Sequence, residues 1–281
     1  MGIIYACIAP HGAEIIPKLA GEQAQSFRKT TDGMETLAAQ LEETDPSTVV
    51  LATPHGLRLD HTIGVVTTEF SSGTLSSHRK SVRMRYSCDR ALAYSILAEA
   101  KKLRLPVIGA NFGTSEGPAS CMPMDWGTLI PLWFFGRSRK RRRKRKIVIV
   151  TPSREIPLMS LVQFGEAITN AAVNTRQKVA FVASADQGHA HHESGPYGFH
   201  PASNEYDKLV ENAVRDNRLM ALLNLGETFI EDAKPDSLWQ IAILIGILRG
   251  VQMEGRVISY QAPTYYGMLC ASFQLAVHPS V

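Results

Sequence analysis

The chain has only four cysteines, Cys7, Cys88, Cys121 and Cys270, and no two form a Cys-x-x-Cys pair. That scarcity argues against a disulfide framework and a structural zinc knuckle. Free thiols in a reducing compartment are the simplest account, so a cytoplasmic location is expected. Long apolar runs are also missing. The longest near the C-terminus, Ile241–Leu248, is too short to cross a bilayer, and no membrane association is expected. Residues 1–10 are apolar but lack a basic leader and a cleavage-like site, so they read as a first strand rather than a signal peptide. Charged residues make up 20% of the chain and apolar ones 44%. Those are globular values and argue against disorder.

Distributed positive charge is scarce as well, although the formal net charge is +4. From Arg137 to Lys146, nine of ten residues are Lys or Arg; without those nine, 21 basic residues face 26 acidic ones. The bulk of the protein is therefore mildly acidic. Surfaces that bind nucleic acid spread positive charge over a face or helix, and those that stack bases interleave aromatics. This block does neither, so it reads as a solvated loop or hairpin tip and nucleic acid is not expected as a partner. A polyanion-binding module built on the block is the competing reading.

No linker divides the 281 residues, so one domain spanning 1–281 is expected. Gly2–Ala9 and Ser47–Thr53 are apolar runs closed by Pro10 and Pro54, and both read as buried strands. Further strands are expected over His61–Thr68, Leu105–Gly109, Lys146–Thr151, Lys178–Ser184, Arg256–Gln261 and Met268–Leu275. Helical spacing covers Glu22–Glu42, Cys88–Lys102, Asp125–Phe135, Leu158–Asn174, Glu205–Leu225 and Asp236–Arg249. The Ser/Gly-rich Phe70–Ser77 reads as a loop or hairpin connection, Asn111–Met124 as a loop, and Asp186–Pro201 as a polar stretch rich in His and Gly. Alternating strands and helices predict an α/β domain with a central mixed, mostly buried sheet flanked by helices, the last two strands pairing antiparallel.

Two strand ends carry the chemistry. Ile3–Ala9 runs into Pro10-His11-Gly12, and Val49–Ala52 into Thr53-Pro54-His55-Gly56. The C-terminal edge of an open sheet is where α/β proteins place ligands. Proline favours extended geometry before it, and glycine permits a sharp turn. If the strands are neighbours, both imidazoles reach one crevice, and imidazole suits iron, zinc and nickel. Two unrelated polar turns are the bland alternative. A third histidine segment, Ser184–His192, follows another strong strand. Spacing alone does not choose among its histidines.

In order and spacing the chain resembles the catalytic subunits of class III extradiol ring-cleavage dioxygenases, the protocatechuate 4,5-dioxygenase type. The likeness rests on both Pro-His-Gly ends, Asp125-Trp126-Gly127 before Leu129–Leu132, Ser184–His189, Glu205-Tyr206-Asp207, and the late helix around Trp239 and Ile245-Gly246. It implies Fe(II) held by His11 and His55, a small aromatic diol or aminophenol and dioxygen as reactants, and His189 as the acid–base residue. The family's third ligand is a glutamate before the late helix, and no glutamate stands at the matching point here. Asp236 is the nearest acid and Glu231 the nearest glutamate, so the expected metal set is His11, His55 and Asp236, with Glu231 as the alternative. Many relatives carry histidine where Trp126 stands; a tryptophan there is either a flat apolar wall for a less polar catechol or aminophenol, or core packing. His191, His192 and Tyr197 are further candidates for substrate contact, and Glu14 for supporting a ligand imidazole. A homodimer and a small accessory subunit are both compatible with the sequence. The competing functions are a divalent-metal enzyme of hydrolytic type that uses no dioxygen, and a non-catalytic protein on the same scaffold.

Overall fold

The computed structural model describes residues 1–77, 79–136 and 145–276. In chain order the elements are β1 (Ile3–Ala9), α1 (Pro17–Ala20), α2 (Arg28–Thr44), β2 (Thr48–Ala52), β3 (Ile63–Val66), β4 (Phe70–Ser77), β5 (Lys80–Ser87), α3 (Arg90–Lys102), β6 (Val107–Ala110) and β7 (Cys121–Pro123). Then come α4 (Trp126–Phe135), β8 (Lys146–Thr151), α5 (Leu158–Asn174), β9 (Val179–Ser184), α6 (Pro201–Arg215), α7 (Glu227–Ala233), α8 (Leu238–Gly250), β10 (Met253–Gln261) and β11 (Met268–Leu275).

Among the described residues, eight strands form the main sheet in the order β10-β11-β1-β9-β2-β8-β3-β6. The four central strands β1, β9, β2 and β8 are parallel, while β11 and β3 join them antiparallel on either side. The expected α/β architecture with a mixed sheet is therefore present, and β10 pairs antiparallel with β11 as the sequence suggests. Alternate side chains of the central strands enter two cores. Ile8, Val50, Val148 and Phe181 pack against α3, α5, α6 and α8. Cys7, Leu51, Ile149 and Val182 pack against α2, α4 and a second sheet of β5-β4-β7. Helix α8 is buried from Leu238 to Ile247 except at Trp239, which explains its nearly continuous apolar sequence.

The structure departs from the sequence expectations in several places. β1 and β2 are not neighbours, because β9 lies between them and pairs parallel with both. All three still end at the same sheet edge, with Ala9 opposite Ser184 and Ala52 opposite Ala183. Phe70–Ser77 is a strand, paired along its whole length with β5; cross-strand partners outweigh the weak strand propensity of its serines. The helix expected over Glu205–Leu225 begins earlier, at Pro201, and stops at Arg215, after which Asn217 takes a left-handed φ of 53°. Residues 137–144 of the basic run lie outside the described residues. Its last arginine is not solvated: Arg145 is buried, donates to Phe135 O and pairs with Glu42 at 2.7 Å. Three cysteines are buried free thiols, and Cys121 is half-buried.

Candidate metal centre

His11 leaves the end of β1 as a buried imidazole. Its Nδ1 lies 3.0 Å from Ser184 Oγ at the end of β9, and Ser184 Oγ in turn donates to Gly127 O. A carbonyl only accepts, so the serine proton is committed and His11 Nδ1–H must be the donor to Ser184. In the neutral ring this leaves the lone pair on Nε2. His55 leaves the end of β2, where its N–H donates to Thr53 Oγ1, and Thr53 Oγ1 donates to Asp125 Oδ1. Asp125 also caps α4 by accepting from Thr128 N–H. The His55 ring lies against Trp126, with centroids 4.2 Å apart and planes tilted by 32°.

The two glycines of the Pro-His-Gly ends have different reasons to be there. Gly56 takes φ +79°, a left-handed turn. Gly12 is extended, with φ −63°, so no turn requires it. A Cβ at Gly12 would run into Tyr266 Oη and the Met268 side chain, so their close approach is what favours glycine.

The third group arrives from the far end of the chain. Asp236 is buried just before α8, and Ser237 rather than Asp236 occupies the N-cap position. Asp236 Oδ1 accepts from Asp186 N–H at 2.9 Å. Among the described residues its Oδ2 has no well-aligned hydrogen bond, but it lies 3.2 Å from His11 Nε2 and 3.6 Å from His55 Nε2. The two Nε2 atoms are 3.1 Å apart. Adjacent ligands at right angles about a metal, each ~2.1 Å away, stand about 3.0 Å from one another. The triangle His11–His55–Asp236 is thus the right size for a divalent ion, and its otherwise unpartnered carboxylate oxygen suits one. Glu231, the alternative acid, is exposed on α7 and takes no part.

The electrostatics agree. Burial pulls the His11 imidazole down, but Asp186 and Asp236 outweigh it and carry it up to about 9. Burial and the charge on His11 push His55 down to about 4. Burial, with Asp236 beside it, lifts Asp186 to about 6, against the pull of His11. Asp236 is lowered overall because His11 overcomes its burial. One proton on His11 therefore sits among groups arranged for a cation.

Asp186 is the residue that sequence reading passed over. Its Oδ1 accepts from His11 N–H at 3.1 Å, and its Oδ2 lies 3.3 Å from His11 Nε2. Its place two residues after the β9 terminus, at the same sheet edge, was the available signal. His189 stands beside it, and one of its ring nitrogens can share a ligand position with Asp186 and Asp236. His189 Nδ1 faces Gln187 O at 2.8 Å, so Nδ1 carries the proton and Nε2 is the acceptor in the neutral ring.

A cleft of about 360 Å³ opens over these groups, and Trp126, Tyr197, His189, Tyr265, Tyr266 and Glu14 are among the residues that line it. His191 and His192 do not line it. His191 Nε2 is held 2.8 Å from buried Asp207, and exposed His192 takes its contacts from Ser194. Asp207 also accepts from Gly188 N–H and Tyr260 Oη, so His191 helps fix the loop rather than face the cleft. Glu14 accepts from Tyr266 Oη at 3.0 Å, and the side chain that meets His11 Nδ1 is Ser184.

The family described as the catalytic LigB subunit of aromatic ring-opening dioxygenase matches residues 5–269, a span that includes every member of the cluster. Protein CA_C1420 of Clostridium acetobutylicum is 26% identical over 255 residues, covering 90% of this chain and 54% of that protein. The chain therefore spans about half the length of this curated relative. Among solved structures, uncharacterized protein JW3007 from Escherichia coli K12 is similar with a TM-score of 0.60 at 15% identity, over 96% of this chain and 99% of the other; it speaks for the fold alone. With the family match running from β1 into β11, the chain belongs to the family of catalytic LigB subunits of aromatic ring-opening dioxygenases.

Proposed function

We propose that this chain is an Fe(II)-dependent extradiol dioxygenase that opens the ring of a catechol-type or aminophenol-type substrate with dioxygen. The observation that carries the reading is the convergence of His11 Nε2, His55 Nε2 and Asp236 Oδ2 within 3.1–3.6 Å of one another. Two imidazoles and one carboxylate on one face are the donor set of non-haem iron oxygenases. Bound there, iron would make a chelated diol more acidic and bring it together with dioxygen. The catalytic unit in this reading is the whole of residues 1–281, and its free thiols suit a reducing, cytoplasmic setting. Among the described residues, no helix is long and apolar enough to cross a membrane.

The chain's own residues supply the rest. Trp126 and Tyr197 form half-exposed aromatic walls against which a ring over the metal position would stack. His189, with Nδ1–H tied to Gln187 O, takes a proton from the substrate hydroxyl at Nε2 and returns it later in the cycle. Asp186 orients His11 through its backbone N–H and adds negative charge beside the imidazole.

Anaerobic purification followed by metal analysis and oxygen-uptake assays tests the proposal. Stoichiometric iron with catechol-dependent oxygen consumption is expected. Zinc-dependent turnover without oxygen uptake would assign the site to a hydrolytic enzyme. A folded chain that holds no metal and turns over no diol would mark a non-catalytic protein.

A further inference from the structure

The described residues lining the cleft include two carboxylates, Glu14 and Asp186, and four large aromatics, Trp126, Tyr197, Tyr265 and Tyr266, but no lysine or arginine. Asp186 is engaged with His11. Among the described residues, Glu14 forms no ion pair; its Oε2 accepts from Tyr266 Oη, which leaves Oε1 open to a further donor. Burial first, then Asp186 and Glu14, hold the Tyr266 phenol far above its ordinary range, so it remains a neutral donor. The Tyr266 ring lies nearly parallel to His189, with centroids 5.5 Å apart, and Tyr265 meets it edge-on at 4.8 Å. Glu14 thus stands one tyrosine ring away from His189, on the wall of the same cleft.

We infer that this cleft selects aromatic substrates bearing a cationic arm, an ammonium group, and disfavours those bearing a carboxylate. The inference rests on the proposed reading of the cleft as the substrate site of a ring-opening enzyme, and it adds the substrate class. An ammonium gains a carboxylate partner and the negative faces of tyrosine rings. A carboxylate arm meets Glu14 with no lysine or arginine among the described lining residues to offset the repulsion. Glu14 is therefore a specificity-determining residue, and Tyr266 holds it in place.

Dopamine and 3,4-dihydroxyphenylacetate form a matched pair: both carry the catechol ring and a short arm, and they differ in the sign of the terminal charge. Anaerobic titration calorimetry on the metal-loaded chain should show dopamine binding at least ~10-fold tighter, with the ratio shrinking as salt is raised. Glu14→Gln should bring the ratio to within about threefold, and Glu14→Lys should reverse it, with unchanged thermal melting of both variants showing that the fold is intact. Equal affinities in the native chain, or a preference for the carboxylate, would overturn the inference. Unsubstituted catechol separates the two claims. If catechol is opened with oxygen uptake but the matched pair binds equally, the arm preference alone fails. If dopamine is preferred but no diol consumes oxygen, the ring-opening reading fails and the preference stands. Failure of all three to bind overturns both.

Discussion

At the scale of single residues, the candidate site was legible where a side chain's position follows from a strand end, and illegible where it follows from three-dimensional contact. His11 and His55 could be read from two apolar runs that each stop at Pro-His-Gly. Asp236 was readable only as the acid nearest the start of an apolar helix. Glu231 competed with it because sequence does not say that residue 231 faces outward on a separate short helix. Ser184 and Asp186 lie in the Ser184–His189 segment on which the resemblance rests, but their contacts with His11 follow from β9 lying between β1 and β2. His11→Ala, His55→Ala and Asp236→Ala should each lose stoichiometric metal, while Glu231→Ala should retain it, as elemental analysis would show. His189→Ala should keep the metal and lose ~10²–10⁴-fold in turnover, the usual scale of an acid–base group. Ser184→Ala should leave His11 free to take the wrong tautomer and weaken metal affinity by ~10-fold or more, measured by competition with a chelator.

At the scale of elements, periodicity found most strands and helices, because burial on one or both faces leaves a direct mark on the sequence. It failed where a partner element decides. β4 reads as a loop or hairpin connection until β5 is laid beside it, and α7 is only seven residues long, too short for its apolar Phe229, Ile230 and Ala233 to show a helical period. The loop from Ala185 to His200 is another such case, since its shape depends on Asp207 of α6. That buried carboxylate accepts from Gly188 N–H at 2.7 Å and Tyr260 Oη at 2.7 Å, and faces His191 Nε2 at 2.8 Å. Asp207→Ala should strand these partners and cost ~2–5 kcal/mol in denaturant unfolding. Because Gly188 adjoins His189, the same variant should lower turnover while the metal content stays near that of the native chain. A variant with native stability and native turnover would show that the loop is held by something other than Asp207.

At the scale of the whole molecule, the proposed metal ligands come from residues 11, 55 and 236, which β1, β2 and the start of α8 carry to one sheet edge. An ion held there would link segments far apart in sequence, and the unfolded chain has no comparable site. Binding to the folded state alone shifts the folding equilibrium by mass action. A metal at about 100 times its dissociation constant adds ~2.7 kcal/mol. For a domain of 281 residues, each kcal/mol moves the melting temperature by about 2 °C. Removing the metal with a chelator should therefore lower the melting temperature by ~5 °C, and restoring ferrous iron under anaerobic conditions should recover it. His55→Ala sharpens the test. That ring is half-buried beside Trp126, so its truncation leaves the fold intact while removing one corner of the triangle. The variant should melt at the same temperature with and without chelator. A native chain indifferent to the chelator, or a His55→Ala chain that responds as strongly as the native one, would place the stabilising ion elsewhere.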